Sequence, residues 1–231
     1  MKSIVFDTGP LISLATNNLL WILKPLKERF GGEFYITKRV KQELIDTPLR
    51  IKRFELEAMQ VWQCIKDGTI SIIENPEIHK IERKMLQLAN TSFKAKGTWI
   101  KIVHEAEMES VAAAIFLGSS AVVVDERTTR VLIENSPKLT EIFERKLQTS
   151  VEFDKNNIKE FKKIFNEVKI IRSVELITVA YKLGLLKDYV LGSDIVDHPK
   201  ERLLNAALWA LKIRGCSISR EEIEQIVSEN A

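Results

Sequence analysis

Apolar residues in this chain fall into two rhythms, short continuous runs and longer stretches at helical spacing, and the two alternate from the start. The opening run, Ile4-Val5-Phe6, is made of β-formers, meets Asp7 at its end and is stopped by Gly9-Pro10. It predicts a buried strand that delivers a carboxylate. Residues 11 to about 24 then place Leu11, Leu14, Ala15, Leu19, Ile22 and Leu23 at helical spacing, with Pro25 ending or kinking the helix. Gly31-Gly32 breaks the chain before a strand at 34–37, whose Thr37 caps a helix over 38–46 that carries Val40 and Glu43 on one face. A long amphipathic helix from 49 turns Ile51, Phe54, Ala58, Val61, Trp62 and Ile65 inward, and Gly68 ends it. A strand at 69–73 follows. Asn75-Pro76 opens a further helix with Ile78, Ile81, Met85 and Leu88 inward, and the polar residues 90–97 read as a loop.

The second half repeats the first. A helix over 105–117 has a small, apolar interior and a C-terminal Gly118. Ala121-Val122-Val123-Val124 then runs without alternation into Asp125, as a central parallel strand covered on both faces does. A helix starts at 126–130, and the charged segment beyond Pro137, to about 167, reads as an exposed helical elaboration. A last strand at 168–171 precedes a helix capped by Ser173 and ended by Gly184; two more helices follow, the final one opened by a Ser219–Glu222 capping box. This alternation predicts an α/β three-layer sandwich, a mostly parallel central sheet flanked by helices with helical elaborations. The expected organisation is a single domain over 1–231, with helical insertions near 76–103 and 135–167.

Composition narrows the class. With 231 residues, 45% hydrophobic and 29% charged, the chain suits a soluble globular core and excludes extended disorder. Neither a signal-peptide core nor an apolar run of membrane-spanning length is present, so a cytoplasmic protein without a membrane partner is expected. Cys64 and Cys216 lie far apart with no metal-binding spacing, as free thiols in a reducing compartment do. The formal net charge of +3 permits a nucleic-acid partner without demanding one. His79, His104 and His198 lack ligand spacing, no serine sits in a nucleophile elbow, and neither GxGxxG nor a phosphate-binding loop occurs. Gly9 stands where an aspartyl-phosphate hydrolase carries its second acid.

Two strands therefore end in acids, Asp7 and Asp125, at the sheet edge where open parallel sheets bind ligands. Asp7 also fits an N-cap for the following helix. Glu105, Glu107 and Glu109 all suit the positive end of their helix. Glu107 lies four and seven residues before Val111 and Ala114 and so continues a buried line, whereas Glu105 and Glu109 occupy another face as solvated charges. Glu107 is the preferred partner of the strand-end acids, and Glu109 its rival. Asp7, Glu43, Glu107 and Asp125 gathered in one crevice would repel one another unless a cation neutralised them. An oxygen-only donor set favours Mg²⁺ or Mn²⁺, and the matching reaction is phosphodiester hydrolysis.

These stretches, Ile4 to Ile12, Thr37 to Leu44, Glu107 to Ala114 and Val122 to Arg127, together with Ser173 to Leu186, resemble the PIN-domain family of ribonucleases. The resemblance implies an acidic centre that uses Mg²⁺ or Mn²⁺ to cut RNA, with Asp7, Glu43, Glu107 and Asp125 as metal ligands. Thr8 would hydrogen-bond a metal-bound water and Glu126 would supply a further acid. Arg127 and Arg130, close after Asp125, are placed to meet RNA phosphates, and the Lys94–Lys101 stretch with Trp99 offers a second basic surface. Family members include VapC-type toxins, so an antitoxin protein and a homodimer are implied partners. The chain is longer than a minimal PIN toxin. A catalytically weak or inactive PIN-fold module that binds RNA or protein is the alternative.

Overall fold

The computed structural model describes residues 2–165, 168–190 and 197–230. Strand β1 (Ser3–Phe6) is buried along its length, and helix α1 (Thr8–Thr16) begins directly after Asp7. The helix predicted over 11–24 thus starts earlier and stops sooner. Asn17 donates from Nδ2 to the Ser13 carbonyl at 2.7 Å and Asn18 adopts φ +54°, so side-chain competition and a left-handed residue end α1. A 3₁₀ turn, Leu20–Ile22, leads into α2 (Leu23–Phe30). Pro25 neither ends nor kinks it, because the proline sits in the first turn, where its missing N–H costs no helical bond. Gly31 closes α2 at φ +64°, and a Cβ on Gly32 would come within 2.4 Å of the Lys2 carbonyl. Glycine is required there for β2 (Glu33–Thr37) to enter the sheet beside β1.

Thr37 Oγ1 accepts the Val40 N–H and caps α3 (Lys38–Lys41), which passes into a π-helical turn, Gln42–Asp46. Helices α4 (Pro48–Ile51) and α5 (Glu55–Lys66) replace the single helix predicted from 49. Lys52 and Phe54 both take φ +62°, and neither residue type announces a left-handed break in sequence. Only part of the expected inward face is therefore covered. Ala58 and Val61 are buried, while Ile51, Phe54 and Trp62 are exposed together with Leu49, Leu56 and Met59. Strand β3 (Ser71–Ile73) is shorter than predicted, and α6 (Pro76–Asn90) is capped by Asn75.

The predicted loop at 90–97 is instead a hairpin. β4 (Phe93–Ala95) and β5 (Thr98–Trp99) are joined by Lys96 and Gly97, both at positive φ, the backbone of a tight two-residue turn. Helix α7 (Glu105–Leu117) ends at Gly118 with φ +57° as predicted, and β6 (Ala121–Val123) follows. Helix α8 (Arg127–Leu147) kinks at Asn135 ahead of Pro137. Strand β7 (Val151–Phe153) pairs antiparallel with β4, and α9 (Lys155–Phe165) packs on α6. The segments expected as helical insertions, 76–103 and 135–167, thus each contain strands and meet in one small sheet of order β5-β4-β7. Phe93 seals it, with ring centroids 5.5 Å from Phe143 and 5.1 Å from Phe153. Residues 166 and 167, the end of the second insertion, lie outside the described residues. β8 (Lys169–Ile171), α10 (Ser173–Lys182), α11 (Pro199–Ile213) and α12 (Arg220–Asn230) complete the chain, the last opened by reciprocal Ser219–Glu222 bonds.

The main sheet has the order β3-β2-β1-β6-β8, and every pairing is parallel. Side chains alternate across it. Ile4, Phe6, Phe34 and Val123 enter one apolar cluster with α1, α2 and the C-terminal helices, and Val5, Val122 and Val124 enter another with α6 to α9. The three-layer sandwich predicted from sequence is the observed fold. The chain builds outward from β1 to β3, then crosses to β6 and β8 on the other side, so the strand order reverses between β1 and β6. Ligands of open α/β sheets bind beyond the carboxyl ends of strands at such a point. Register pairs Phe6 with Val123, which sets the next residues, Asp7 and Val124-Asp125, at that crevice. Among the described residues no helix is long and apolar enough to cross a membrane.

The approach to α7 is fixed by one side chain. Asn90 Oδ1 accepts the N–H groups of Ile102 and Val103, and its Nδ2 donates to the Val103 carbonyl. Asn90→Ala leaves these backbone groups without partners, and we expect a loss of about 2 kcal/mol in unfolding free energy, read from the urea midpoint.

Candidate functional site

A cavity of about 390 Å³ opens at the switch between β1 and β6, lined by Asp7, Thr8, Glu43, Glu107, Asp125 and Glu126, with His104 and Arg214 at its wall. The four acids arrive from four separate segments. Asp7 and Asp125 come from adjacent strand ends, locked in register by the Asp7 N–H bond to the Val123 carbonyl at 3.0 Å. Glu43 comes from the π-helical turn and is exposed to the cavity, while Val40, expected on the same face, is buried. Glu107 comes from the first turn of α7.

Their surroundings differ sharply. Asp7 is only 5% exposed and sits at the N-cap position of α1, yet its side chain makes no capping bond. The Ser110 hydroxyl donates to its Oδ1 at a long 3.3 Å. Burial, reinforced by the negative charges of Glu107 and Glu43, pushes the Asp7 carboxyl up to about 7, against the pull of the Thr8 N–H and Ser110. Glu43 Oε2 accepts the Thr8 hydroxyl at 2.7 Å. Glu107 Oε2 accepts the Thr129 hydroxyl at 2.8 Å and the His104 N–H at 3.3 Å, so it also caps its own helix; partial burial holds its carboxyl above the usual range.

Glu109 is turned away from this cavity. It is buried rather than solvated, and Arg39 Nε donates to its Oε2 at 2.8 Å while Arg39 also binds Glu105 at 2.6 Å and lies 3.5 Å from Glu82. Glu126 is exposed at the cavity rim and accepts the Thr129 N–H as the cap of α8. Arg127 and Arg130 do not line the acidic cavity but a neighbouring one. The basic stretch around Trp99 is folded into the β4–β5 hairpin, with Lys94 Nζ over the Trp99 ring at 5.4 Å.

Asp125 is the fully satisfied member. Its Oδ1 accepts the Ser173 N–H at 2.8 Å and the Cys216 thiol at 3.3 Å, and its Oδ2 accepts the Ser173 hydroxyl at 2.7 Å. Burial and the adjacent carboxylate push the Cys216 thiol up to about 12, which keeps it a donor. The carboxylate therefore caps α10 from outside the helix. None of Ser173, Cys216, Thr129, Ser110 or Arg214 was singled out from sequence for this site, because no local spacing links residues that meet only through the sheet.

The profile of a family described as PIN domain matches residues 3–136, more than half of the chain. The chain belongs to the PIN-domain family. Among curated proteins and among solved structures, none matches the chain. PIN domains are generally nucleases and typically use divalent metals, so a nuclease-type fold and a hydrolase at that coarse level follow from membership. The donor set of this PIN domain suits a hard cation, being all oxygen, and a divalent ion would offset both the burial that raises Asp7 and the smaller repulsion from Glu107 and Glu43. Among the described residues no group of three such side chains is disposed to hold an ion as it stands. Glu43 and Glu107 each give Oε2 to the Thr8 or Thr129 hydroxyl, which leaves Oε1 of each for a cation.

Two outcomes are expected. Unfolded Asp7 ionises near 3.8 while the folded carboxyl keeps its proton to about 7, so the metal-free protein loses stability between those values and carries a constant cost above them. Asp7→Asn removes that cost, on the order of 4 kcal/mol above pH 7 and close to nothing near pH 4, seen as a melting-temperature gain that grows with pH. Asp125→Ala does the opposite. It strips three donors of their acceptor and should lower stability by about 3 kcal/mol at neutral pH, measured by urea unfolding.

Proposed function

We propose that this PIN domain is a metal-dependent endoribonuclease that hydrolyses RNA phosphodiester bonds in the cytoplasm. The observation that carries the reading is the convergence of Asp7, Glu43, Glu107 and Asp125 on one open cavity at the strand switch. Asp7, Glu43 and Glu107 would hold Mg²⁺ or Mn²⁺, and Asp125 would complete the set through the remaining lone pair of Oδ2. The ion supplies Lewis acidity, acidifying a water and offsetting charge on the phosphate oxygens. The residues of the chain supply placement. Thr8 orients Glu43, Thr129 orients Glu107, and Asp125 anchors the turn that brings Arg214 to the cavity wall, where a guanidinium meets a phosphate oxygen. Hydrolysis forms one P–O bond from water and breaks the ester P–O bond to the leaving ribose oxygen.

The test uses end-labelled single-stranded RNA with each ion in turn, comparing wild type with Asp7→Asn and Glu107→Gln. We expect a strand cut internally, and a rate reduced about 10²-fold or more in each variant. Uncut RNA with both ions would sink the reading. Asp125 is the wrong residue for this comparison, since its replacement disturbs the fold as well.

Two observations favour a catalytically weak module that binds RNA without cutting it: Asp125 already accepts three protein donors, and among the described residues no three acids stand ready for an ion. Calorimetry separates the two: Mn²⁺ binding lost in Asp7→Asn supports the enzyme, and no Mn²⁺ binding with intact RNA affinity supports the module. The narrower assignment as a VapC-type toxin with an antitoxin, or as a homodimer, draws on the exposed apolar side chains Leu49, Ile51, Leu56, Met59 and Trp62 of α4 and α5. Light scattering of wild type and Leu56→Glu decides the homodimer. A monomer in both cases removes it.

A further inference from the structure

A second polar cavity, about 610 Å³, lies beside the acidic one. One wall is α8, with Arg127 and Arg130 before its kink and Lys138 after it; the other is the segment from the end of α11 to the start of α12, with Lys212, Ser217 and Ser219. The two cavities share a wall. Arg214 and Gly215 face the acids, Lys212 and Ser217 face the basic groove, and the Ser217 N–H donates to the Asp125 carbonyl at 3.2 Å. On the opposite side Glu126 lines the first cavity and its neighbour Arg127 the second.

The groove holds uncommitted positive charge. Among the described residues Arg127 and Lys138 form no ion pair, and both are exposed. Arg130 is under-satisfied: its Nε is buried without a hydrogen-bond partner, Glu134 stands 3.8 Å away, and its Nη1 makes only a long 3.4 Å bond to the Ser217 carbonyl. Lys212 spends one donor on the Ile218 carbonyl. Of the two acids in the groove, Glu222 is occupied by Arg172 at 3.1 Å and by the Ser219 N–H. Several cations around an open channel, one with an orphaned guanidinium nitrogen, ask for an anionic acceptor larger than a single carboxylate.

We infer that this groove binds the sugar–phosphate backbone of single-stranded RNA, holding the phosphates next to the one seated at the acids. The inference rests on the nuclease reading for its ligand and extends it to Lys138 and Lys212. It also makes the segment around 212–219, beyond the matched family region, one half of the substrate path. Contacts to phosphates position a strand without reading its bases.

The experiment is fluorescence anisotropy of a dye-labelled oligouridine strand in EDTA, which separates binding from cleavage. The variant is Arg127→Gln with Lys138→Gln, two exposed side chains outside the acidic cavity. We expect Kd to rise about tenfold at low salt, and the slope of log affinity against log salt to flatten by about 1.4, the value for two lost phosphate contacts on a single strand. Lys84→Gln with Lys162→Gln, on α6 and α9, removes the same charge from side chains that line neither cavity and should change Kd less than twofold. Equal effects in the two double variants, or none in the first, would overturn the groove. Wild type that binds through the groove but cuts no RNA with Mg²⁺ or Mn²⁺ would retain it and discard the nuclease. Wild type that cuts RNA while the first variant keeps its Kd would do the reverse.

Discussion

A carboxylate taken out of water must be met by donors, and Asp125 is met by donors that lie far along the chain. The Ser173 N–H and hydroxyl and the Cys216 thiol close around it, while the Ser217 N–H takes its backbone carbonyl. Each of these bonds joins the end of a central strand to the C-terminal helices. Because α10 has its first N–H satisfied by the residue two past the end of β6, the helix can dock only where that strand ends. The position of α11 and the turn after it follow, and with them Arg214 at the acidic cavity and Lys212 at the groove beside it.

Asp7, one strand away, has the opposite treatment. It is as deeply buried but receives one long hydroxyl bond, and two further carboxylates face it. Adjacent strand ends thus carry one acid that is structurally spent and one whose charge is left unpaired. A fold that only needed polar satisfaction would have treated both alike, or replaced Asp7 with an amide. The unrelieved acid costs stability in the metal-free state, and functional sites are where such costs persist.

Much of this was legible in the sequence. Ile4 to Asp7 and Ala121 to Asp125 announce buried strands ending in acids, since continuous β-branched runs have few other places in a soluble fold, and Gly118 and the Ser219–Glu222 pair mark helix ends through local chemistry. What failed depended on backbone states that residue type, Asn18 apart, does not signal. Asn18, Lys52, Phe54 and Lys96 take positive φ, and each broke an expected helix or made a hairpin from an expected loop. Glu43 lines the cavity with the other expected acids, but nothing in its local sequence signals the π-helical turn that carries it. Glu107 and Glu109 could be ranked by spacing, and the structure shows why they part: Arg39, from another element, captures Glu109. Long-range partners such as Thr129, Ser173 and Cys216 carry no local pattern at all.

The family profile ends at 136, inside α8, yet the acid at the end of β6 is unsatisfied without Ser173 and Cys216. Arg172, whose side chain is 11% exposed, binds Glu175, Glu222 and the Ser217 carbonyl together, so α10, α12 and the turn between α11 and α12 are tied to one buried guanidinium. Buried ion networks of this kind contribute little net stability against an apolar alternative, and their best-attested role is to fix one arrangement. Here the arrangement fixed is the distance between the C-terminal turn and the strand-end acids. The residues beyond 136 are on this account a wall of the site, and the core of the family supplies the floor.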